Sequence, residues 1–271
     1  MKNIYWLVLL LVLLNTDIVN GQEDLWKKVD EGLFMMDFDS PQKSPVGDSK
    51  ITILKINPKF YSFKLICASE QGGKRMTAKE WCKKYKLIAA VNAGMFQADG
   101  IKNVGYMENF NHVNNPRLNS YKAVLAFNPV VPGVPDIQII DLTCQNFGEL
   151  RYNYQTFIQN IRMLSCQQKN VWSKENKAWS MVVLGVDKTG NVLFIFTRSP
   201  YSVHDFINIL LSLPISIYNA MYLEGGPMAT LYFSANGIEG EKYGSFETVF
   251  KEDDNNTVAW PLPNVIGIVK K

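Results

Sequence analysis

The stretch Met181-Val182-Val183-Leu184-Gly185-Val186-Asp187-Lys188-Thr189-Gly190-Asn191-Val192-Leu193-Phe194-Ile195-Phe196-Thr197 sets the class of fold. Two apolar, β-branched runs, 181–186 and 192–197, flank a turn that follows Asp187 and contains a glycine. Such a pair reads as a β-hairpin, and therefore as antiparallel strands. Working outward, further strands are expected at 50–57 and 60–68, joined at Asn57-Pro58, and at 87–91, 122–127, 137–142 and 218–223. A last one, 257–268, is interrupted by Pro261 and Pro263. Helices are expected at 77–85, where Thr77 and Glu80 have the spacing of a capping box, and at 202–211 with Ser202 as cap. The amphipathic pattern of 153–164 reads as a third helix. Strands and helices are interspersed without the regular β-α repeat of a doubly wound sheet. No repeat or low-complexity linker divides the chain. The expectation is α+β: a single domain over 51–271 with a mixed, largely antiparallel sheet and flanking helices, preceded by an irregular segment, 22–50, in which Pro41, Pro45 and Gly47 mark loops.

The first residues carry Lys2, then the apolar run 4–14, then small and polar residues to Gly21. This is the layout of a secretory signal peptide, 1–21, since the run falls short of the roughly 20 apolar residues of a membrane span. The expected location is secreted or periplasmic, with no stable transmembrane insertion.

Export changes how Cys67, Cys82, Cys144 and Cys166 read, because disulfides persist in oxidising compartments. Of the three possible pairings, the local one, Cys67 with Cys82 and Cys144 with Cys166, is expected; buried free thiols are the alternative. Net charge is +3 with the basic residues scattered, which excludes the basic stripe of a nucleic-acid binder. No metal site or cofactor motif is expected, because two histidines without H-E-x-x-H are too few for a three-histidine zinc site. A G-x-S-x-G elbow and a P-loop are likewise missing.

Two segments concentrate polar groups and glycines behind an apolar strand: Ala90-Val91-Asn92-Ala93-Gly94-Met95-Phe96 and Tyr222-Leu223-Glu224-Gly225-Gly226-Pro227-Met228-Ala229-Thr230. Glycine lets backbone approach a ligand closely, so both read as rims of a site, against a plain strand-to-turn junction. Glu224, partly buried after Met221-Tyr222-Leu223, is the leading acid, and its pKa should be raised. The N–H groups of Gly225 and Gly226 would face developing negative charge. Asn92 suits a sugar hydroxyl or an Asx-turn equally. Arg198 suits a phosphate clamp or an ordinary salt bridge. His204 and Glu70 are candidate acid–base partners for Glu224.

These segments, with Asp99-Gly100, Gly105-Tyr106, Gly185-Val186-Asp187, Gly190 and the stretch from Arg198 to Phe206 between them, resemble the phosphodiester glycosidase family over about 51–267, most closely its secreted bacterial members. The resemblance implies hydrolysis of a sugar-1-phosphodiester to free sugar and a phosphomonoester. Carried over by position, it implies that Asn92, Gly94, Phe96, Arg198, Glu224, Gly225, Gly226 and Thr230 line the pocket. The chain departs from the family pattern at Glu224, where Asp is usual, and at Pro227, which removes a backbone N–H. The implied partner is a carbohydrate or sugar-phosphodiester substrate. The alternative is a secreted carbohydrate-binding or cell-surface protein without turnover, which the twelve tyrosines and six tryptophans also suit, since aromatic faces stack on sugars.

Overall fold

A computed structural model describes residues 26–271; the expected signal segment lies outside them. Sixteen strands dominate: β1 Lys27–Asp30, β2 Leu33–Asp39, β3 Lys50–Ile56, β4 Tyr61–Cys67, β5 Ala89–Asn92, β6 Met107–Asn109, β7 His112–Asn115, β8 Ala123–Pro129, β9 Ile137–Asp141, β10 Tyr154–Arg162, β11 Trp179–Asp187, β12 Val192–Tyr201, β13 Ile217–Gly225, β14 Thr230–Ala235, β15 Ile238–Tyr243 and β16 Asn264–Lys270. The α-helices are α1 Ala78–Tyr85, α2 Phe147–Leu150 and α3 Val203–Ser212. Every strand pair is antiparallel among the described residues. The expected single domain with largely antiparallel pairing is found, while the mixed sheet and the α+β balance are corrected to two antiparallel sheets with few helices.

The larger sheet runs β1-β2-β3-β12-β11-β13-β10-β6-β7, with β8 also on β10 and β9 on β8; the smaller runs β15-β14-β5-β16-β4. They pack face to face over one core, which takes Leu54, Phe194 and Leu184 from the larger and Phe63, Val91, Phe233 and Ile266 from the smaller. On the outer face of the larger sheet, Ile53, Ile195 and Val183 pack with Phe206, Ile207 and Leu210 of α3. On the outer face of the smaller, α1 lays Trp81 and Cys82 beside Ala90 and Val265. The hairpin strands are apolar at nearly every position because both of their faces are covered. Each such fully buried side chain contributes roughly 1.5–3 kcal/mol.

Both caps form as expected. Thr77 and Glu80 make the reciprocal capping box of α1, and the Ser202 side chain accepts the Asp205 N–H of α3. The helix expected at 153–164 is strand β10 instead. Its apolar residues Tyr154, Phe157, Ile158 and Ile161 happen to fall at i, i+3, i+4 and i+7. Yet its β-branched and aromatic content favours a strand, and burial of Phe157 on one side and Ile158 on the other erases any alternation. The segment read as irregular, 22–50, carries β1 and β2, the edge of the larger sheet. Asn57-Pro58 joins two strands as expected, but β3 and β4 belong to different sheets, so the turn carries the chain across the core. No helix among the described residues is long and apolar enough to cross a membrane.

Cys144 and Cys166 form a disulfide, tying the end of β9 to the end of β10. Cys67 and Cys82 are free buried thiols, which corrects the expected second bridge. Cys67 faces the central core, its Sγ 3.8 Å from Met107 Sδ, while Cys82 lies under α1 on the far side of the smaller sheet. Burial pushes both thiols well above the ordinary range. Without reductant, a thiol reagent should therefore find nothing in the native protein and two thiols per chain after denaturation; four would contradict the bridge.

Candidate active site

The site forms where β10 and β13 part. They pair only at Ile161 with Tyr222 and Arg162 with Met221, after which β10 continues on β8 and β6. On its other edge β13 follows β11, with Val183 opposite Tyr222 and Val182 opposite Glu224, so Leu223 is unmatched. A bulge of this kind bends a strand and re-aims its side chains. The loop after β5 closes the gap, held by the Asn160 amide, which donates to the Ala93 carbonyl at 2.8 Å. Gly94 passes so close that a Cβ there would lie 2.4 Å from Asn160 Oδ1.

Glu224 stands at this opening, partly buried, and its Oε1 accepts the Gly225 N–H at 3.1 Å. Burial pushes its carboxyl up to about 8; the Gly225 N–H pulls the other way, and the charge of Glu247 adds to the rise. Burial also raises Glu247. The glycine pair makes room for the acids. A Cβ on Gly225 would lie 2.2 Å from the Tyr222 hydroxyl, and one on Gly226, at φ +64°, would lie 2.4 Å from Glu247 Oε2. The Tyr222 hydroxyl is pushed well up by burial and then by the charges of Glu224, Glu247, Tyr121 and Glu175. Glu175 contributes a buried Oε1 with no hydrogen-bond partner among the described residues. Three glutamates and two tyrosines therefore converge here. Met95, Ile161, Trp172 and Trp179, partly buried against the same cluster as Tyr222, form an apolar margin, with the Trp172 ring 6.3 Å from that of Tyr222.

The other sequence-predicted residues lie at one remove or elsewhere. Asn92 is buried, donating to the Met228 carbonyl at 2.9 Å and accepting the Thr230 N–H at 2.8 Å. It braces the turn behind Gly225-Gly226, and the Thr230 hydroxyl does likewise by donating to the Met228 carbonyl. Phe96 forms a bridge with Asn103 inside the loop that follows Gly94. Arg198 is not free to clamp a phosphate. It donates to the Asp254 carboxylate at 2.6 Å and to the carbonyls of Tyr243, Asp254 and Asn256, closing the base of the excursion that carries Glu247. His204 Nδ1 donates to the Trp172 carbonyl at 2.6 Å, fixing the Trp172 loop. Glu70 accepts from Asn109 at 3.0 Å beside the Ser69–His112 pair. None of the contacts among the described residues joins His204 or Glu70 to Glu224. The partner carboxyl is Glu247, which sequence reasoning missed, together with Glu175, Tyr121 and the two tryptophans.

The phosphodiester glycosidase family model matches residues 85–269. The chain belongs to the phosphodiester glycosidase family. Its fold is similar to the catalytic domain of zebrafish N-acetylglucosamine-1-phosphodiester α-N-acetylglucosaminidase, in a form auto-inhibited by its pro-peptide, with TM-score 0.62, 13% identity, and 90% of this chain and 86% of that one covered. It is also similar to a hypothetical protein from Synechocystis, with TM-score 0.56, 12% identity, and 89% of this chain and 62% of that one covered. At such identities the likeness is one of fold. Among curated protein sequences none matches.

Two outcomes are expected. Folded Glu224 keeps its proton up to about pH 8, whereas the unfolded side chain releases it near 4.5. Its contribution to stability is thus full below the unfolded value and is lost as pH rises to about 8. Glu224→Gln retains the shape of the protonated acid, so its Tm should gain on wild type between about pH 5 and about pH 8 and level off above that; a constant difference would contradict the buried carboxyl. Arg198→Ala should lower stability to urea by about 2–3 kcal/mol, and an unchanged midpoint would return Arg198 to the ligand-binding residues.

Proposed function

We propose that this chain hydrolyses a sugar-1-phosphodiester, releasing the sugar and leaving a phosphomonoester on the other partner. The observation that carries the reading is Glu224: in a member of this family, a carboxyl raised to about 8 stands beside a second raised carboxyl, Glu247, across a glycine pair. Glycosidases set two carboxyl groups to opposite proton tasks. Glu224, protonated at neutral pH, gives its proton to the oxygen between sugar and phosphorus as the C1–O bond breaks. Glu247 takes a proton from the water whose oxygen bonds to C1. The Gly226 N–H and the Tyr222 hydroxyl face the developing charge, and Trp172 and Trp179 offer the sugar an aromatic face. Action outside the cytoplasm, after loss of 1–21, accords with the Cys144–Cys166 bridge.

The test is release of sugar and phosphomonoester from a panel of sugar-1-phosphodiesters. Glu224→Gln and Glu247→Gln should each reduce kcat by about 10²- to 10⁴-fold. In the wild type kcat/KM should fall as pH passes about 8, where the acid loses its proton. Turnover by Glu224→Gln at the wild-type rate would remove Glu224 from the chemistry. Silence across a broad panel would favour a secreted carbohydrate-binding protein.

A further inference from the structure

With Arg198 committed to the excursion around Glu247, a phosphoryl group needs another cation. One cavity, lined in part by residues that touch Tyr222, supplies it. Its volume is about 390 Å³, and its lining includes Tyr121, Lys122, Ile161, Arg162, Trp172 and Ser173. Three of these connect it to the site. Ile161 pairs with Tyr222, two residues before Glu224 on β13. The Trp172 ring lies 6.3 Å from the Tyr222 ring. Tyr121, in the same lining, has its hydroxyl raised by burial and then by the charge of Glu224.

The lining has the chemistry of an oxyanion site. Lys122 is exposed and has no carboxylate partner among the described residues. Arg162 is anchored through one terminal nitrogen, which donates to both Asp141 oxygens at 2.7 Å and to the Thr143 hydroxyl, while its other terminal nitrogen has no hydrogen-bond partner among the described residues. A held guanidinium with a spare donor, a mobile ammonium and the Ser173 hydroxyl together match the charge and hydrogen-bonding needs of a phosphoryl group. Trp172 both lines this cavity and packs on Tyr222, two residues before Glu224, which is the side toward which a ring attached to the phosphate would extend.

We infer that this cavity is the anion subsite, in which Lys122 and Arg162 take the phosphoryl group of a sugar phosphate ester while its sugar ring reaches toward Glu224. The identity of the ester rests on the hydrolase reading above; the binding of a phosphoryl group does not.

Calorimetric titration of the purified protein with inorganic phosphate, glycerol 3-phosphate and a sugar 1-phosphate tests it. Saturable binding is expected, strongest for the sugar 1-phosphate, and about tenfold weaker in Lys122→Ala at unchanged Tm. Lys122→Arg should restore it, and Lys59→Ala, which removes an exposed charge from the β3–β4 turn, should leave it unchanged. If diesters are turned over, KM in Lys122→Ala should rise about tenfold with kcat retained. Absence of saturable binding in the wild type, or equal affinity in Lys122→Ala, overturns the subsite. Lys122-dependent binding without turnover of any diester would leave the subsite standing and remove the hydrolase. Glu224-dependent turnover whose KM ignores Lys122 would do the reverse.

Discussion

Because β13 is paired on both edges only at Met221 and Tyr222 and on one edge beyond them, the larger sheet has to open at this strand's end. The unmatched Leu223 sharpens that opening by shifting the β11 register at the residue before Glu224. Everything else follows from the gap: the loop after β5 closes one side, the Trp172 loop another, and the excursion bearing Glu247 a third. A fully paired strand would leave Glu224 no room to be both partly enclosed and reachable.

Several residues act at a distance from the reacting groups. Asn92 fixes the turn behind the glycine pair, Arg198 closes the excursion that holds Glu247, and His204 seats the Trp172 loop. Each holds backbone groups, Arg198 with the Asp254 carboxylate as well, which gives three irregular segments one geometry and leaves the acids in a confined space. Gathering Glu175, Glu224 and Glu247 costs stability. Two packed sheets with covered outer faces offset that cost, an arrangement common at functional sites.

The sequence disclosed the fold where its signals were local. The Asp187–Gly190 turn, the Thr77–Glu80 box and the Ser202 cap each depend on residues within a few positions, and each forms. Strand β10 was misread because its apolar spacing imitates a helix, and β1 and β2 were missed among prolines and glycines. Glu224 was legible because it ends an apolar run before two glycines. Glu247 was not, since Ser245-Phe246-Glu247-Thr248 carries no motif and its place beside Gly226 depends on contacts far apart in the chain. The sequence left Arg198 open between phosphate clamp and salt bridge for a related reason: the partners that decide for the salt bridge, Tyr243, Asp254 and Asn256, lie more than forty residues away. The cysteines repeat the lesson, as spacing alone could not reveal that a sheet separates Cys67 from Cys82.

Strand β16 lies in the interior of the smaller sheet, between β5 and β4. Neither of those neighbours can complete its ladder until residues 264–270 have been synthesised, although both emerge from the ribosome long before. Native pairing therefore spans some two hundred residues of sequence and carries the slow, non-local character of such topologies. The acidic site, whose parts come from both halves of the chain, therefore takes shape only as segments far apart in the sequence close on one another.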